Sequence, residues 1–69
     1  MFELNTRAIR SLMIERQLTV RDVAKAANIT ETTAARLSRD GARANARTTG
    51  KLAHALGVDA KLIVKEKET

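Results

Sequence analysis

The chain has 69 residues, no cysteine and one histidine, His54, which suits a single small domain over residues 1–69 and excludes disulfides, cysteine-ligated zinc and paired-histidine chemistry. It has no run of about 18 apolar residues and no signal pattern at its start, so we expect a cytoplasmic protein. The net charge is +5. Phe2 is the only aromatic residue, so the chain lacks the aromatic faces on which single-stranded nucleic acids usually stack.

The first predicted elements are a short extended segment and a helix. Phe2 and Leu4 alternate with Met1 and Glu3, which indicates an extended piece. Asn5 is a good N-cap, and apolar residues recur at helical spacing after it. Helix 1 is therefore predicted from about Thr6 to Gln17, with Leu4 and Ile9 at the two positions of a hydrophobic staple.

Residues 18–39, LTVRDVAKAANITETTAARLSR, organise the rest of the chain and read as two short helices joined by a tight turn. Thr19 is the predicted N-cap of helix 2, which runs from about Val20 to Ala27, and Asp22 is its capping-box partner. Asn28 fits the left-handed position that ends such a helix, because asparagine tolerates this conformation better than most residues.

The second helix of this pair, helix 3, has two different sides. It is predicted from about Glu31 to Arg39 with Thr30 as its N-cap. Ala34 and Leu37 fall on the side that faces the core. The other side carries polar and basic residues at a period of 3.6: Glu31, Thr32, Ala35, Arg36 and Arg39. This is the plan of a helix-turn-helix, whose second helix leaves a polar face free to enter a DNA groove.

A fourth helix follows a short basic loop at residues 42–44. Asn45 is its predicted N-cap, Gly57 its end, and its range is about Ala46 to Leu56. Gly50 lies inside this helix at a cost of about 1 kcal/mol relative to alanine, and a close helix–helix contact is the reason we consider for it.

The last predicted element has two possible forms. Asp59 is a candidate N-cap for a fifth helix, whereas the β-branched pair Ile63 and Val64 favours a short strand that pairs with residues 2–4. The predicted fold is therefore an all-α bundle of about five short helices, with a terminal strand pair as the alternative. From about residue 65 the tail is polar.

The positive charge is concentrated in one part of the chain. Residues 36–51 contain five basic side chains and one acidic one, whereas the basic excess is a single charge in residues 1–35 and zero in residues 52–69. A local positive field attracts a polyanion, and with few aromatic residues duplex DNA is the expected one. The alternative is a surface that only keeps the protein in solution.

The sequence resembles the Cro/CI-type (Xre) helix-turn-helix family, the lambda-repressor-like DNA-binding domains. The resemblance covers about residues 5–63 and rests on Val23-Ala24, Asn28-Ile29, Ala34, Leu37 and the run LAHALGV at residues 52–58. The chain departs from the family at four positions: the turn has Asn28 where glycine is usual, Ser38 and Met13 stand where many members have a Glu and Arg that pair, and Ala34 is small for a core position. The paired change suggests a lost ion pair rather than a lost fold.

The resemblance implies sequence-specific binding to duplex DNA, with helix 3 in the major groove. Arg36 and Arg39 would bond guanine edges, and the alternative for each is a phosphate. Thr32 would contact a base or a thymine methyl group, with Ala35 beside it on the same face. Glu31 would accept from a cytosine amino group or merely favour the helix dipole. The implied phosphate contacts are Thr19 and Arg21 at the start of helix 2, and Arg43, Arg47 and Lys51 on the other side.

The family usually binds a two-fold, palindromic operator as a homodimer to regulate transcription. A chain this short would have to dimerise through its own surface, and we expect that surface at Val58, Leu62, Ile63 and Val64. The first hypothesis for the function is a Cro-like repressor from a phage, plasmid or bacterial chromosome. The rival is an antitoxin-type module that binds a protein through its polar tail and binds DNA as well. We expect no enzymatic activity, metal, cofactor or membrane, and His54 is interpreted as a surface histidine.

Overall fold

The computed structural model describes residues 1–65 as four α-helices, two short strands and one turn of 3₁₀ helix. In chain order these are β1 (Phe2–Glu3), α1 (Thr6–Glu15), α2 (Val20–Ala27), α3 (Glu31–Leu37), β2 (Arg43–Ala44), α4 (Ala46–Leu56) and the 3₁₀ helix (Ala60–Leu62). The mostly helical fold with a central helix-turn-helix is therefore as predicted. The fifth α-helix is not: a single 3₁₀ turn takes its place. The polar tail from about residue 65 falls mainly on residues 66–69, outside the described residues.

Side chains that bond to nearby backbone cap the starts of α2 and α3, and a left-handed residue ends α2 between them. The Thr19 hydroxyl accepts from the Asp22 N–H at 3.1 Å, and the Asp22 carboxylate accepts from the Thr19 N–H at 2.9 Å, so the predicted capping box is present. Asn28 ends α2 with a φ of 58°, in the left-handed conformation expected for it. The Thr30 hydroxyl then accepts from the Thr33 N–H at 3.1 Å and caps α3.

Two helices end about two residues earlier than the sequence predicts. After α1 the chain turns at Gln17, which has a φ of 55°, and the Leu18 N–H donates to the Met13 carbonyl at 2.8 Å, which closes the helix. After α3 the hydroxyl of Ser38 donates to the carbonyl of Ala34 at 3.0 Å. In both places a polar group bonds the last carbonyls, which the helix itself leaves unpaired.

The core joins the helices to the two ends of the described chain. Leu4 from the N-terminal segment and Ile63 from the C-terminal segment are fully buried, as is Leu37 of α3. The other large side chains that are fully buried are Ile9, Leu52 and Leu56. Ala34 and Leu37 of α3 are buried, as predicted, and the inner faces of α2 and α4 are buried with them: Val23, Ala24, Ala27, Leu52, Ala53 and Leu56. Burial of each large apolar side chain stabilises the fold by about 1.5–3 kcal/mol.

The N-terminal strand lies between two other segments. On one side β1 pairs with β2 in antiparallel register, Phe2 opposite Ala44 and Glu3 opposite Arg43. On the other side Leu4 forms an antiparallel bridge with Val64. We call the three segments, residues 2–4, 42–44 and 63–65, the terminal sheet. Residues 42–44 were predicted as a loop, and that prediction is wrong, because β1 supplies a strand partner that local patterns do not reveal.

Two expectations about the second half of the chain need correction. An added Cβ at Gly50 would meet no atom within 4 Å, so this glycine does not serve a close helix–helix contact. Asp59 precedes the 3₁₀ helix, but its side chain makes no capping bond. In contrast, α4 begins and ends where the sequence predicts, with Asn45 accepting from the Thr48 N–H at 2.8 Å and Gly57 left-handed at a φ of 73°.

Candidate nucleic-acid interface

The side of α3 that faces away from the core carries the residues that the sequence singled out. Buried Ala34 and Leu37 fix the other side of the helix against the core. Glu31, Thr32, Arg36 and Arg39 are exposed, and Ala35 between them is half-buried. The result is a polar and basic surface on a helix that the protein's own core anchors from behind.

The two arginines of this surface differ in the backbone structure that carries them. Arg36 lies in the last turn of α3, and its Nη1 donates to the Arg43 carbonyl at 3.5 Å, a long bond that leaves the guanidinium at the surface. Arg39 lies in a turn beyond the last helical residue, and its backbone N–H donates to the Arg36 carbonyl at 3.2 Å. Arg39 was predicted inside the helix, so its direction is set by the turn and not by helical periodicity.

A polar cluster that the sequence reading missed ties this turn to α1. Asp40 Oδ1 accepts from the Thr6 hydroxyl at 3.0 Å and from Arg10 Nη2 at 3.1 Å, while Arg10 Nη1 donates to the Ser38 carbonyl at 2.9 Å. The hydrogen bond from Thr6, followed by the bond and charge of Arg10, lowers the pKa of Asp40 below its ordinary value. Thr6 and Arg10 are four residues apart on α1, and this spacing is the sequence signal that the two side chains lie on the same side of the helix.

Met13 and Ser38, the two positions where the family often pairs Arg with Glu, are neighbours in space. The Ser38 hydroxyl lies 3.9 Å from the Met13 sulfur. Met13 is buried and Ser38 half-buried, so an apolar side chain and a small hydroxyl fill the place of the ion pair. The two departures from the family are therefore compatible with each other and with the fold.

The start of α2 presents a second set of predicted contacts. Thr19 and Arg21 are both exposed. The hydrogen bonds from the Thr19 backbone and hydroxyl positions lower the pKa of Asp22, so its carboxylate stays charged beside the helix N-terminus. The Thr19 hydroxyl accepts from the Asp22 N–H in this arrangement. Arg21 Nε lies 3.6 Å from a Glu31 carboxylate oxygen, so this pair joins α2 to α3.

The other predicted phosphate contacts lie on β2 and α4. Arg43, Arg47 and Lys51 are exposed, and Arg47 and Lys51 are four residues apart on one side of α4. Arg43 lies 4.0 Å from the Glu3 carboxylate across the β1–β2 pair. Within residues 1–65, no carboxylate lies within 4.0 Å of the side-chain nitrogens of Arg47 or Lys51.

The surface predicted for dimerisation is only partly available. Leu62 is 54% exposed, and Val58 and Val64 are half-buried. Ile63 is fully buried in the core of its own chain, so it cannot belong to an interface without unfolding the C-terminal segment. Beside Val64 lies an apolar groove of about 320 Å³ between α4 and the terminal sheet, lined by Phe2, Ala46, Thr49, Gly50, Ala60, Lys61 and Val64.

The described part of the chain contains no group of three or more His, Asp or Glu side chains arranged to hold a metal ion. Across residues 1–65, every helix is too short or too polar to cross a bilayer. His54 is exposed on α4, as interpreted from the sequence.

The arrangement of α2, the left-handed turn and α3 defines a helix-turn-helix protein. The chain is similar in fold to a solved structure, the clp gene regulator ClgR from C. glutamicum, with a TM-score of 0.70 and 23% sequence identity over 81% of this chain and 73% of that one. No curated protein matches the sequence. A family model of the Cro/C1-type HTH DNA-binding domain matches residues 8–61, and the chain belongs to this family.

Proposed function

We propose that the chain binds duplex DNA sequence-specifically and represses transcription, with α3 in the major groove. The observation that carries the proposal is the exposed side of α3 and the turn after it, where Arg36 and Arg39 are free of any carboxylate partner among residues 1–65 while Leu37 holds the helix to the core. Arginine bonds guanine O6 and N7 with two donors, and each good base contact discriminates by about 1–3 kcal/mol. Thr32, Ala35 and Glu31 complete the proposed base-reading surface.

The proposed phosphate contacts flank this surface on both sides. Thr19 and Arg21 lie at the start of α2, next to α3, and Arg43, Arg47 and Lys51 lie beyond its other end on β2 and α4. All five side chains are exposed, and four of them are cationic. Contacts of this kind position the protein on the duplex and make binding fall steeply with salt, whereas the base contacts determine which sequence is bound.

We also propose that the protein acts as a homodimer on a palindromic operator, in the cytoplasm of a bacterial or phage-infected cell, where such DNA lies. The proposed dimer surface consists of Val58, Leu62 and Val64, and Ile63 is withdrawn from it because it is buried. Leu62 is one of four large apolar side chains exposed in residues 1–65, and Phe2, another of them, lines the apolar groove beside Val64. Two-fold proteins bind half-sites about one helical turn apart.

The antitoxin-type alternative assigns protein binding to the polar tail, which falls mainly on residues 66–69, outside the described residues. Capture of partners from the native host separates the two functions. A stoichiometric protein partner lost on removal of residues 66–69 supports the alternative, whereas operator binding by the purified chain with no such partner captured supports the repressor.

Selection of bound sequences from random duplexes tests the proposal directly. The expected result is an enriched motif with two-fold symmetry, because each half-site would meet one copy of α3. Analytical ultracentrifugation with the enriched duplex then measures how many chains bind. The proposed function is contradicted if no sequence is enriched, or if the protein retains no duplex at low salt.

A further inference from the structure

The outer face of the terminal sheet carries a stripe of alternating charge. Glu3 lies in the middle, with one carboxylate oxygen 4.0 Å from Arg43 Nη2 and the other 3.1 Å from Lys65 Nζ. The side chains are partly exposed, 38% for Glu3, 66% for Arg43 and 54% for Lys65. One carboxylate thus neutralises part of the charge of two cations, and one of those cations is a proposed phosphate contact.

Backbone pairing, and not a chance side-chain conformation, brings Glu3 and Arg43 together. The two residues are directly opposite each other in the register of β1 and β2, which places their side chains on the same face of the sheet. On the other side, the Lys65 N–H donates to the Glu3 carbonyl at 2.9 Å. The buried neighbours Leu4 and Ala44 point into the core, so Glu3 and Arg43 must point outward.

Arg43 differs in this respect from the other proposed phosphate contacts on its side of the molecule. Arg47 and Lys51 on α4 have no carboxylate within ion-pair distance among the residues the structure describes, so a phosphate meets them without competition. A phosphate that approaches Arg43 meets a guanidinium already facing a carboxylate. It must either displace Glu3 from Arg43 or remain near a second negative charge, and both cost free energy.

We propose that Glu3 competes with DNA phosphate for Arg43 and thereby limits the affinity of the protein for any duplex. The inference rests on the proposed DNA-binding function. Because the competition concerns a backbone contact, Glu3 weakens all sequences alike and leaves base preference to α3. Exposed ion pairs are weak, so the expected effect is modest: removing the carboxylate raises affinity by about two- to five-fold.

The test compares the substitutions Glu3→Gln and Glu15→Gln in binding to a duplex of random sequence, about 20 base pairs long, at about 50 mM salt. Both changes raise the net charge equally, but Glu15 pairs with Arg16, which is not among the proposed DNA contacts. Glu3→Gln is expected to raise affinity about two- to five-fold and Glu15→Gln by less than about 1.5-fold. In an Arg43→Ala background, the gain from Glu3→Gln is expected to disappear.

Thermal unfolding of each variant verifies that the terminal sheet remains intact. Should Glu3→Gln fail to fold, Glu3→Thr removes the same charge with a residue that favours strands, and the same gain is expected. Equal gains from Glu3→Gln and Glu15→Gln, or a gain that persists without Arg43, overturn the inference alone, provided the wild type binds duplex and Arg43→Ala weakens it. If the wild type binds no duplex, both the inference and the proposed function fail.

Discussion

The helix-turn-helix and the terminal sheet both carry arginines that are proposed to contact DNA, but different interactions hold the two regions in place. In α2 and α3 the hydroxyls of Thr19 and Thr30 bond backbone groups three residues away. In the terminal sheet, backbone bonds join segments far apart in sequence, such as the 2.9 Å bond from the Leu4 N–H to the Ala42 carbonyl. The difference is that local side-chain bonds cap α2 and α3, whereas the place of Arg43 depends on pairing between segments far apart in sequence.

The largest expected effect is a loss of stability in the helix-turn-helix. Leu37 is fully buried and anchors α3, so Leu37→Ala should lower the free energy of unfolding by about 2–5 kcal/mol. Leu62→Ala is the matched control, because the same side chain is deleted at a site that is 54% exposed; it should change the free energy by less than about 0.5 kcal/mol. Urea unfolding of dilute protein measures both, and equal losses would mean that Leu37 does not anchor the helix.

The second prediction contrasts an arginine from each region. Arg36→Ala should reduce discrimination between the selected operator and a mismatched duplex by about 1–3 kcal/mol. Arg43→Ala should weaken both duplexes alike and reduce the salt dependence of binding by about one phosphate contact. Titrations of the two duplexes at several salt concentrations measure these effects. Unchanged operator specificity in Arg36→Ala would refute the groove assignment of α3.

A smaller effect is expected where α4 borders the terminal sheet. Gly50 is exposed within the helix and has open space around its Cβ position, so Gly50→Ala should stabilise the protein by about 0.5–1 kcal/mol. Gly57→Ala is the control with the opposite sign: this glycine has a φ of 73°, and alanine there should cost about 1–2 kcal/mol. Thermal unfolding distinguishes them, and destabilisation by Gly50→Ala would reveal a packing role for this position.

The smallest expected effect concerns pH and the cluster that ties the end of α3 to α1. Because Thr6 and Arg10 lower the pKa of Asp40 in the folded protein, its contribution to stability is present above the ordinary aspartate pKa and is lost as pH falls through the lowered value. The stability difference between wild type and Asp40→Asn should therefore shrink below about pH 4. Unfolding midpoints from about pH 6 to pH 3 measure this, and a difference that grows in acid would contradict the assigned role.

Local signals account for what the sequence could predict. The N-caps Asn5, Thr19, Thr30 and Asn45, the left-handed Asn28 and Gly57, and the buried faces of α2 to α4 all follow from residue types at fixed spacing. The bounds of α2 and α4 were predicted to the residue. The exposed position of the proposed DNA contacts on α3 follows from the same periodicity.

The parts that the sequence could not predict depend on distant partners. Residues 42–44 carry only small and basic side chains, and they become a strand because β1 lies beside them. The Asp40 cluster and the Glu3 stripe likewise join residues at least 28 positions apart. Ile63 was placed at the surface because a β-branched residue near the end of a chain gives no local sign of which way it faces.

The position of β1 between two later segments has a consequence for biosynthesis. One edge of this strand pairs with residues 42–44 and the other with residues 63–65. Next to the strand, the Asn5 N–H donates to the Ile63 carbonyl at 2.7 Å. Residues 2–4 are therefore synthesised before either of their partner segments, so a nascent chain that already contains a complete α3 still has an unfinished sheet.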